Sequence, residues 1–412
     1  RTGAENNRLR NLAGNRRMRL PMNNFEFFAP TEIVFGRGVE DQTGETARKY
    51  GARRIMLVYG GGSVVRSGLL AKVENSLSKA GVTYIEYGGA KPNPTLAHAN
   101  AGIKKAIAEH VDMIIAVGGG STIDTAKAIA HGTANPDHAL WDIWIRKIPL
   151  EKSLPVGAVL TIPAAGSEMS DSAVLTNEEI GKKSGINTPY NRCKFAVMNP
   201  ELAFTLPDNQ LAAGITDIMM HTLERYFIPG VCCELTDEIA EGLLRTVIRN
   251  GRIVMTDRDN YDAMAEIMWA GSLSHNNLTE CGRGKDFSVH KLGHALSAKY
   301  DVTHGASLSA VWGSWAAYLY QDAQGRFARY AHQVWQVEEN DQLKAAEEGI
   351  RRTTEYFKSI GMPVSLSDLK ISPSAEDLQA LALDATMNDT VKLSRICPLG
   401  AGDVLKIYQM AM

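Results

Sequence analysis

The chain has 412 residues, 44% hydrophobic and 22% charged, with a formal net charge of −2. That is the balance of an ordinary globular chain long enough for two domains. It excludes a general attraction to nucleic acid or to an anionic membrane surface.

Residues 1–21 stand apart, with six arginines (Arg1, Arg8, Arg10, Arg16, Arg17, Arg19) against one acid, Glu5. They read as an added leader, with Met22 as the natural start; the rival is a basic nucleic-acid arm or transit peptide. The leader lacks the apolar stretch of a secretory signal, and no apolar run approaches membrane-spanning length. From about residue 25 to 206, short apolar strands alternate with amphipathic helices. Strands are expected at 54–59, 83–87, 113–117, 158–162 and 195–198, and helices at 65–80, 95–110 and 122–131. Such βαβ repetition predicts a doubly wound, mostly parallel sheet in an α/β domain over 22–206. Pro92 and Pro94 bracket a turn after the second strand.

Past Leu206-Pro207 the pattern becomes helical. Asp208 is a candidate cap for a helix over 208–226. Helical periodicity returns at 236–256, 261–274, 286–299, 306–320, 324–335 and 341–359, without convincing strands. An all-helical domain is therefore expected over 207–412, with a ligand cleft between the two halves. The five cysteines (Cys193, Cys232, Cys233, Cys281, Cys397) are odd in number and irregular in spacing. They read as reduced thiols of a cytoplasmic protein rather than a disulfide framework.

Two glycine turns follow strands in the first half. In Gly118-Gly119-Gly120-Ser121, glycines allow close approach of a pyrophosphate, and the following helix offers free N–H groups and a positive dipole end. It is not the G-x-G-x-x-G fingerprint, and a tight turn without a ligand is the plain alternative. The other turn is Gly60-Gly61-Gly62-Ser63, with Arg66 nearby and no acid after the strand. Those groups suit the 2′-phosphate of NADP; the plain alternative is a surface turn with a solvated arginine. A third segment, from Thr161 to Glu168, also ends a strand and could line the same cleft.

Two spans in the second half carry metal-ligating residue types. Asp217 and His221 are spaced i, i+4, as are His290 and His294, and His304 follows in an expected loop. One carboxylate with several imidazoles suits Fe²⁺ or Zn²⁺ better than Mg²⁺. Either pair alone is more often a surface hydrogen bond or chance, and spacing does not say which of His290, His294 and His304 would be ligands. His275, just ahead of the second cluster, competes with them. A metal site beside a nucleotide site points to metal-assisted hydride transfer.

These blocks, with the opening from Phe25 to Gly36, resemble the iron-containing (group III) alcohol dehydrogenases. The resemblance runs from Asn23 to near the carboxyl terminus. It is strongest to the branch of butanol dehydrogenases and NADPH-dependent aldehyde reductases. It implies Asp217, His221, His290 and His304 as metal ligands, and His294 as a nearby histidine that assists proton transfer. It implies Gly119, Gly120, Ser121 and Asp124 on the pyrophosphate turn, and Gly61, Gly62 and Ser63 at the NADP 2′-phosphate. Thr161 and Lys183 fall near the nicotinamide. A homodimer is implied too. Asn199-Pro200 departs from the family's usual Asp-Pro, and Ala164-Ala165 stands where threonines are common.

The reaction expected is hydride transfer between NADP(H) and a primary alcohol or aldehyde, with Fe²⁺ or Zn²⁺ as Lewis acid. The alternative is an NAD-dependent polyol (glycerol-type) dehydrogenase of the same superfamily. A dehydroquinate-synthase-like lyase would want a basic cluster that the helical half lacks. A metal-stabilised scaffold would bind cofactor without turnover.

Overall fold

In the computed structural model, which describes residues 21–412, the apolar runs of the first half become short strands. The leader expected at 1–21 lies outside the described residues except for Pro21. The strands are β1 (Glu32–Phe35), β2 (Arg54–Tyr59), β3 (Thr83–Tyr87), β4 (Met113–Gly118), β5 (Val156–Leu160), β6 (Ser172–Asn177), β7 (Lys182–Asn187) and β8 (Phe195–Met198). Six of them form one sheet, ordered β1-β8-β5-β4-β2-β3, in which every pairing is parallel.

Alternate side chains bury on opposite faces of this sheet. Ile55, Leu57, Ile115, Val117, Val159 and Val197 pack with Ala47, Leu70, Val73 and Leu77 from the helices Thr43–Lys49 and Leu69–Lys79. Their neighbours Met56, Val58, Ile114, Ala116, Ala158 and Met198 face Ala106, Ile123 and Ile129 from the helices Leu96–Ala108 and Gly120–Ala134. The sheet is thus doubly wound. The second core is continuous with the helical half, reaching Leu223, Trp312 and Tyr408.

Strand order decides where a ligand can sit. From β2 the chain moves outward to β3, then returns beside β2 as β4 and continues the other way to β5. The crevice at the carboxyl ends of β2 and β4 is a topological switch point, where open α/β sheets bind ligands. Both glycine turns leave the sheet there.

The second half is helical, with helices Asp208–Tyr226, Glu234–Thr256, Tyr261–His275, Ser288–Tyr300, His304–Leu319, Gln324–Trp335, Gln342–Ser359, Ala375–Ala385 and Ala401–Met410. Among the described residues no strand follows β8; Leu393 and Leu399 form an isolated bridge. Helix Asp208–Tyr226 presses on the loop after β5, where a Cβ on Gly214 would lie 2.3 Å from the main-chain oxygen of Pro163. No helix among the described residues is long and apolar enough to cross a membrane.

Several expectations need correction. The helix expected over 65–80 is two, Ser63–Arg66 and Leu69–Lys79, because Gly68 adopts a left-handed φ of 78° between them. The strand expected at 158–162 lies two residues earlier. Asp208 does not cap: Pro207 takes the N-cap position and Asp208, the first helical residue, pairs with Arg258. His304 opens the helix His304–Leu319 instead of lying in a loop. The antiparallel hairpin β6–β7 was not anticipated; β6 buries only alternate residues, so it lacks the continuous apolar run of the central strands.

Candidate active site

Four side chains from three helices meet in the second half. On helix Asp208–Tyr226, the i, i+4 spacing brings Nδ1 of His221 to 3.6 Å from Oδ1 of Asp217. His290, near the start of Ser288–Tyr300, brings Nε2 to 3.5 Å from the same oxygen. His304, the first residue of its helix, brings Nε2 to 3.7 Å. Ligand-capable atoms of Asp217, His290 and His304 all lie within 4.8 Å of one another. His221 joins them through Asp217 and by stacking on His290, with ring centroids 4.6 Å apart.

Small residues allow this convergence. A Cβ on Gly305 would fall 2.2 Å from the main-chain oxygen of Ala213, so the glycine lets helix His304–Leu319 cross Asp208–Tyr226 at near contact. His294 lies at the edge of the cluster. Its ring is 5.2 Å from His304 and 6.0 Å from His290, and it makes no ion pair with Asp217.

Buried polar atoms in the cluster have no protein partner: Oδ1 of Asp217, Nδ1 of His221, Nε2 of His290 and Nδ1 of His304. Each unpaired buried group costs about 1–3 kcal/mol. Oδ1 of Asp217, Nδ1 of His221 and Nε2 of His290 converge there, joined by Nε2 of His304, and such oxygen and imidazole donors form a set that a divalent cation satisfies. The residues present therefore fit a metal ion.

The electrostatics agree. Burial holds His221 and His294 well below the usual histidine range, reinforced by the neighbouring cationic groups. Burial also lowers His304, to about 3, against the pull of Asp217. Those three imidazoles are neutral at neutral pH. At His290 burial acts downward too, but Glu224 and Asp217 outweigh it and raise the imidazole to about 9. An incoming cation would displace a proton there.

Two neighbours were missed in the sequence. Glu224, on the face of helix Asp208–Tyr226 that carries Asp217 and His221, accepts from Nδ1 of His290. Its signal was available: positions 217, 221 and 224 follow the i, i+4, i+7 rhythm of one helix face. Arg225 donates to Nδ1 of His275, whose ring stacks on His221 with centroids 4.0 Å apart.

The glycine turns lie side by side at the sheet's carboxyl edge. A Cβ on Gly60 would come within 3.9 Å of Oγ1 of Thr122. Gly119 stands at the N-cap of helix Gly120–Ala134 without a capping side chain, leaving the first-turn amides open. Gly61 and Ser63 are exposed, and Gly62 takes a left-handed φ of 104°. Thr161 follows β5 and donates its N–H to the oxygen of Gly118 at 3.0 Å. Asp124 turns inward: Oδ1 accepts from Ser167 at 2.6 Å and Oδ2 from the Val174 N–H at 2.9 Å. It ties the start of helix Gly120–Ala134 to β6. Lys183 donates from Nζ to Oδ1 of Asn93 at 2.9 Å; burial lowers its pKa while Asp124 and Asp217 pull it up. Lys183 is therefore within electrostatic reach of both Asp124 and Asp217.

Comparison with known proteins covers nearly the whole described chain. The family model for iron-containing alcohol dehydrogenase matches residues 30–200, and that for the carboxyl-terminal part of the Fe-containing alcohol dehydrogenase family matches 211–412. The chain is 38% identical over 390 residues to NADH-dependent butanol dehydrogenase A of Clostridium acetobutylicum, covering 94% of this chain and 99% of that one. It is 32% identical over 362 residues to the NADPH-dependent aldehyde reductase YqhD of Escherichia coli, covering 86% and 91%. The crystal structure of NADH-dependent butanol dehydrogenase A from Thermotoga maritima superimposes with a TM-score of 0.90 at 36% identity, covering 95% of this chain and 99% of that one.

Proposed function

The chain belongs to the iron-containing alcohol dehydrogenase family, and from that premise we propose that it transfers hydride reversibly between NADP(H) and primary alcohols or aldehydes. The observation that carries the reading is the convergence of His221, His290 and His304 on one oxygen of Asp217, with buried atoms left unpaired. These four residues would hold Fe²⁺ or Zn²⁺, both compatible with imidazole and carboxylate donors. When bound, such a cation supplies Lewis-acid polarisation of the substrate oxygen.

The remaining work belongs to the chain. His294, beside His304 and half-buried, is assigned the proton exchanged with the substrate oxygen, directly or through water. The open amides at Gly119, Gly120 and Ser121 receive the pyrophosphate, and Asp124 holds that turn in place. Thr161, bonded through its N–H to Gly118, and Lys183, within electrostatic reach of Asp124 and Asp217, are assigned to the nicotinamide end.

NADP is the finer part of the proposal, because the relatives' names divide between NADH and NADPH. Arg66 supports it. Its Nη1 lies 3.3 Å from where a Gly62 Cβ would stand, and it has no carboxylate partner among the described residues. With Gly61, Gly62 and Ser63 it offers one cation and open N–H groups to a 2′-phosphate. A homodimer and a cytoplasmic setting belong to the same reading, through the resemblance and the five unpaired cysteines.

The direct test is a rate. The protein is loaded anaerobically with Fe²⁺ or Zn²⁺, and loss of NADPH or NADH absorbance is followed with butanal. Metal-dependent oxidation of NADPH, faster than of NADH, is expected. A preference for NADH would sink the 2′-phosphate assignment; no turnover with either, despite bound metal, would favour polyol substrates.

A further inference from the structure

We propose that Glu224 is a positioning residue that fixes the ring of His290 with Nε2 free and aimed at Asp217. This rests on the reading that the cluster holds a divalent cation. Glu224 is buried, at 1% exposure, one turn beyond His221 on the same helix. Both its oxygens go to one residue: Oε2 accepts from ring Nδ1 of His290, and Oε1 accepts the main-chain N–H of His290 at 3.1 Å. The main-chain oxygen of Glu224 also accepts the N–H of Asp286 at 3.1 Å.

A two-point hold on ring and backbone determines the ring's orientation. A flipped imidazole would turn a C–H toward the carboxylate and lose that bond. With Nδ1–H committed to Glu224, the proton a cation displaces is the one on Nε2, which points at Oδ1 of Asp217 from 3.5 Å. A carboxylate behind an imidazole also makes its far nitrogen a better donor to a cation. One helix thus contributes the carboxylate and one imidazole of the cluster, and aims a second imidazole 66 positions away in sequence.

A merely structural role, in which Glu224 pins the start of helix Ser288–Tyr300 through the backbone bond alone, predicts something different from positioning. In Glu224→Gln the side chain keeps its shape, but one oxygen becomes an amide N–H₂ facing a donor. The experiment is zinc affinity of the purified full chain, measured by competition with a chromophoric chelator, alongside thermal unfolding of the metal-free protein. Positioning predicts a zinc dissociation constant about 10–100-fold weaker in Glu224→Gln, with the metal-free melting temperature little changed. A zinc constant equal to that of the unsubstituted chain would overturn the proposal. So would a fall in metal-free stability with the zinc constant intact. If the glutamine variant does not fold, Glu224→Asp serves: it keeps the charge but withdraws the acceptor from Nδ1, and unaltered zinc affinity there overturns the proposal equally. Failure of the unsubstituted chain to bind zinc would overturn the metal reading itself together with this one.

Discussion

Arg225 donates from Nη2 to Nδ1 of His275 at 3.0 Å. The lone pair on that nitrogen is thereby committed, and a cation approaching it would meet the guanidinium charge. The same guanidinium donates to the main-chain oxygen of His221 at 2.7 Å and to Oε2 of Glu280 at 2.9 Å, so its position is well determined. Burial, then the Arg225 charge, keeps the His275 imidazole neutral. His275 therefore lies against the proposed metal site without being available to it through Nδ1.

This leads to an asymmetric pair of variants. His221→Ala is expected to lose bound zinc, whereas His275→Gln should retain about one zinc per chain. Metal analysis after gel filtration decides, and loss of zinc from His275→Gln would place that histidine among the ligands.

His290 and His294 should separate in a similar way. His290→Ala is expected to lose metal and activity together. His294→Gln should keep its metal and slow turnover by about 10²–10⁴-fold, the usual worth of a positioned proton donor. Unchanged metal content in His290→Ala would defeat the ligand assignment, and loss of metal in His294→Gln would make that residue a ligand.

The Gly60–Ser63 turn, proposed to receive the 2′-phosphate, offers a test by charge. A Cβ on Gly61 would meet nothing within 4 Å, so Gly61→Asp introduces a carboxylate without a steric penalty. Placed beside a 2′-phosphate, it should raise the KM for NADPH about tenfold or more, since like charges in contact cost more than the roughly 1.4 kcal/mol that tenfold represents. The KM for NADH should stay constant or fall. Equal effects on both cofactors would move the 2′-phosphate elsewhere.

Helix crossing should control the same centre from a distance. Gly305→Ala drives a methyl into the main-chain oxygen of Ala213, so the helices must separate. Overpacking of this kind costs about 1–3 kcal/mol. Because His304 is the preceding residue, zinc affinity should fall along with stability. Chelator competition and denaturant unfolding measure the two, and wild-type values for both would contradict the observed crossing.

Away from the site, His131 should give stability a pH dependence. Its Nε2 bonds Oδ1 of Asn191 at 2.8 Å and its Nδ1 bonds Oγ of Ser153 at 2.8 Å, with the ring fully buried. Burial depresses its pKa to about 4. The unfolded chain, with an ordinary histidine pKa of about 6.5, binds the proton first. The stabilisation is therefore fully present above about pH 6.5 and is lost as pH falls toward about 4, by up to about 3 kcal/mol. Denaturant unfolding across that window should show a steeper decline for the native chain than for His131→Asn. Parallel profiles would contradict the depressed pKa.

Much of the architecture was legible because it depends on local periodicity. The inner strands β2, β4 and β8 are nearly continuous apolar runs, readable without knowing their partners. The Asp217–His221 and His290–His294 pairs were visible because a helix places i and i+4 on one face. The hairpin β6–β7 escaped because its burial alternates and depends on packing against other elements. His304 was expected in a loop although Thr303, a favoured N-cap residue, precedes it; that side chain makes no capping bond, and the helix begins at the close crossing over Ala213.

The amino-acid sequence by itself determined which chemistry was possible: the oxygen and nitrogen donors, their helical spacing, and two glycine turns after strands. Tertiary structure alone decided which histidines meet Asp217. Spacing left His290, His294 and His304 equivalent, but the crossing at Gly305 brings His304 to 3.7 Å from Asp217, while His294 makes no ion pair with it. It also decided the roles of Glu224 and Arg225, which depend on His290 and His275, 66 and 50 positions away. The physical reason is that a helix fixes directions only within a few turns. The orientation of an imaginary axis between helices, and hence of any ring carried on them, is set by the contacts where they pack.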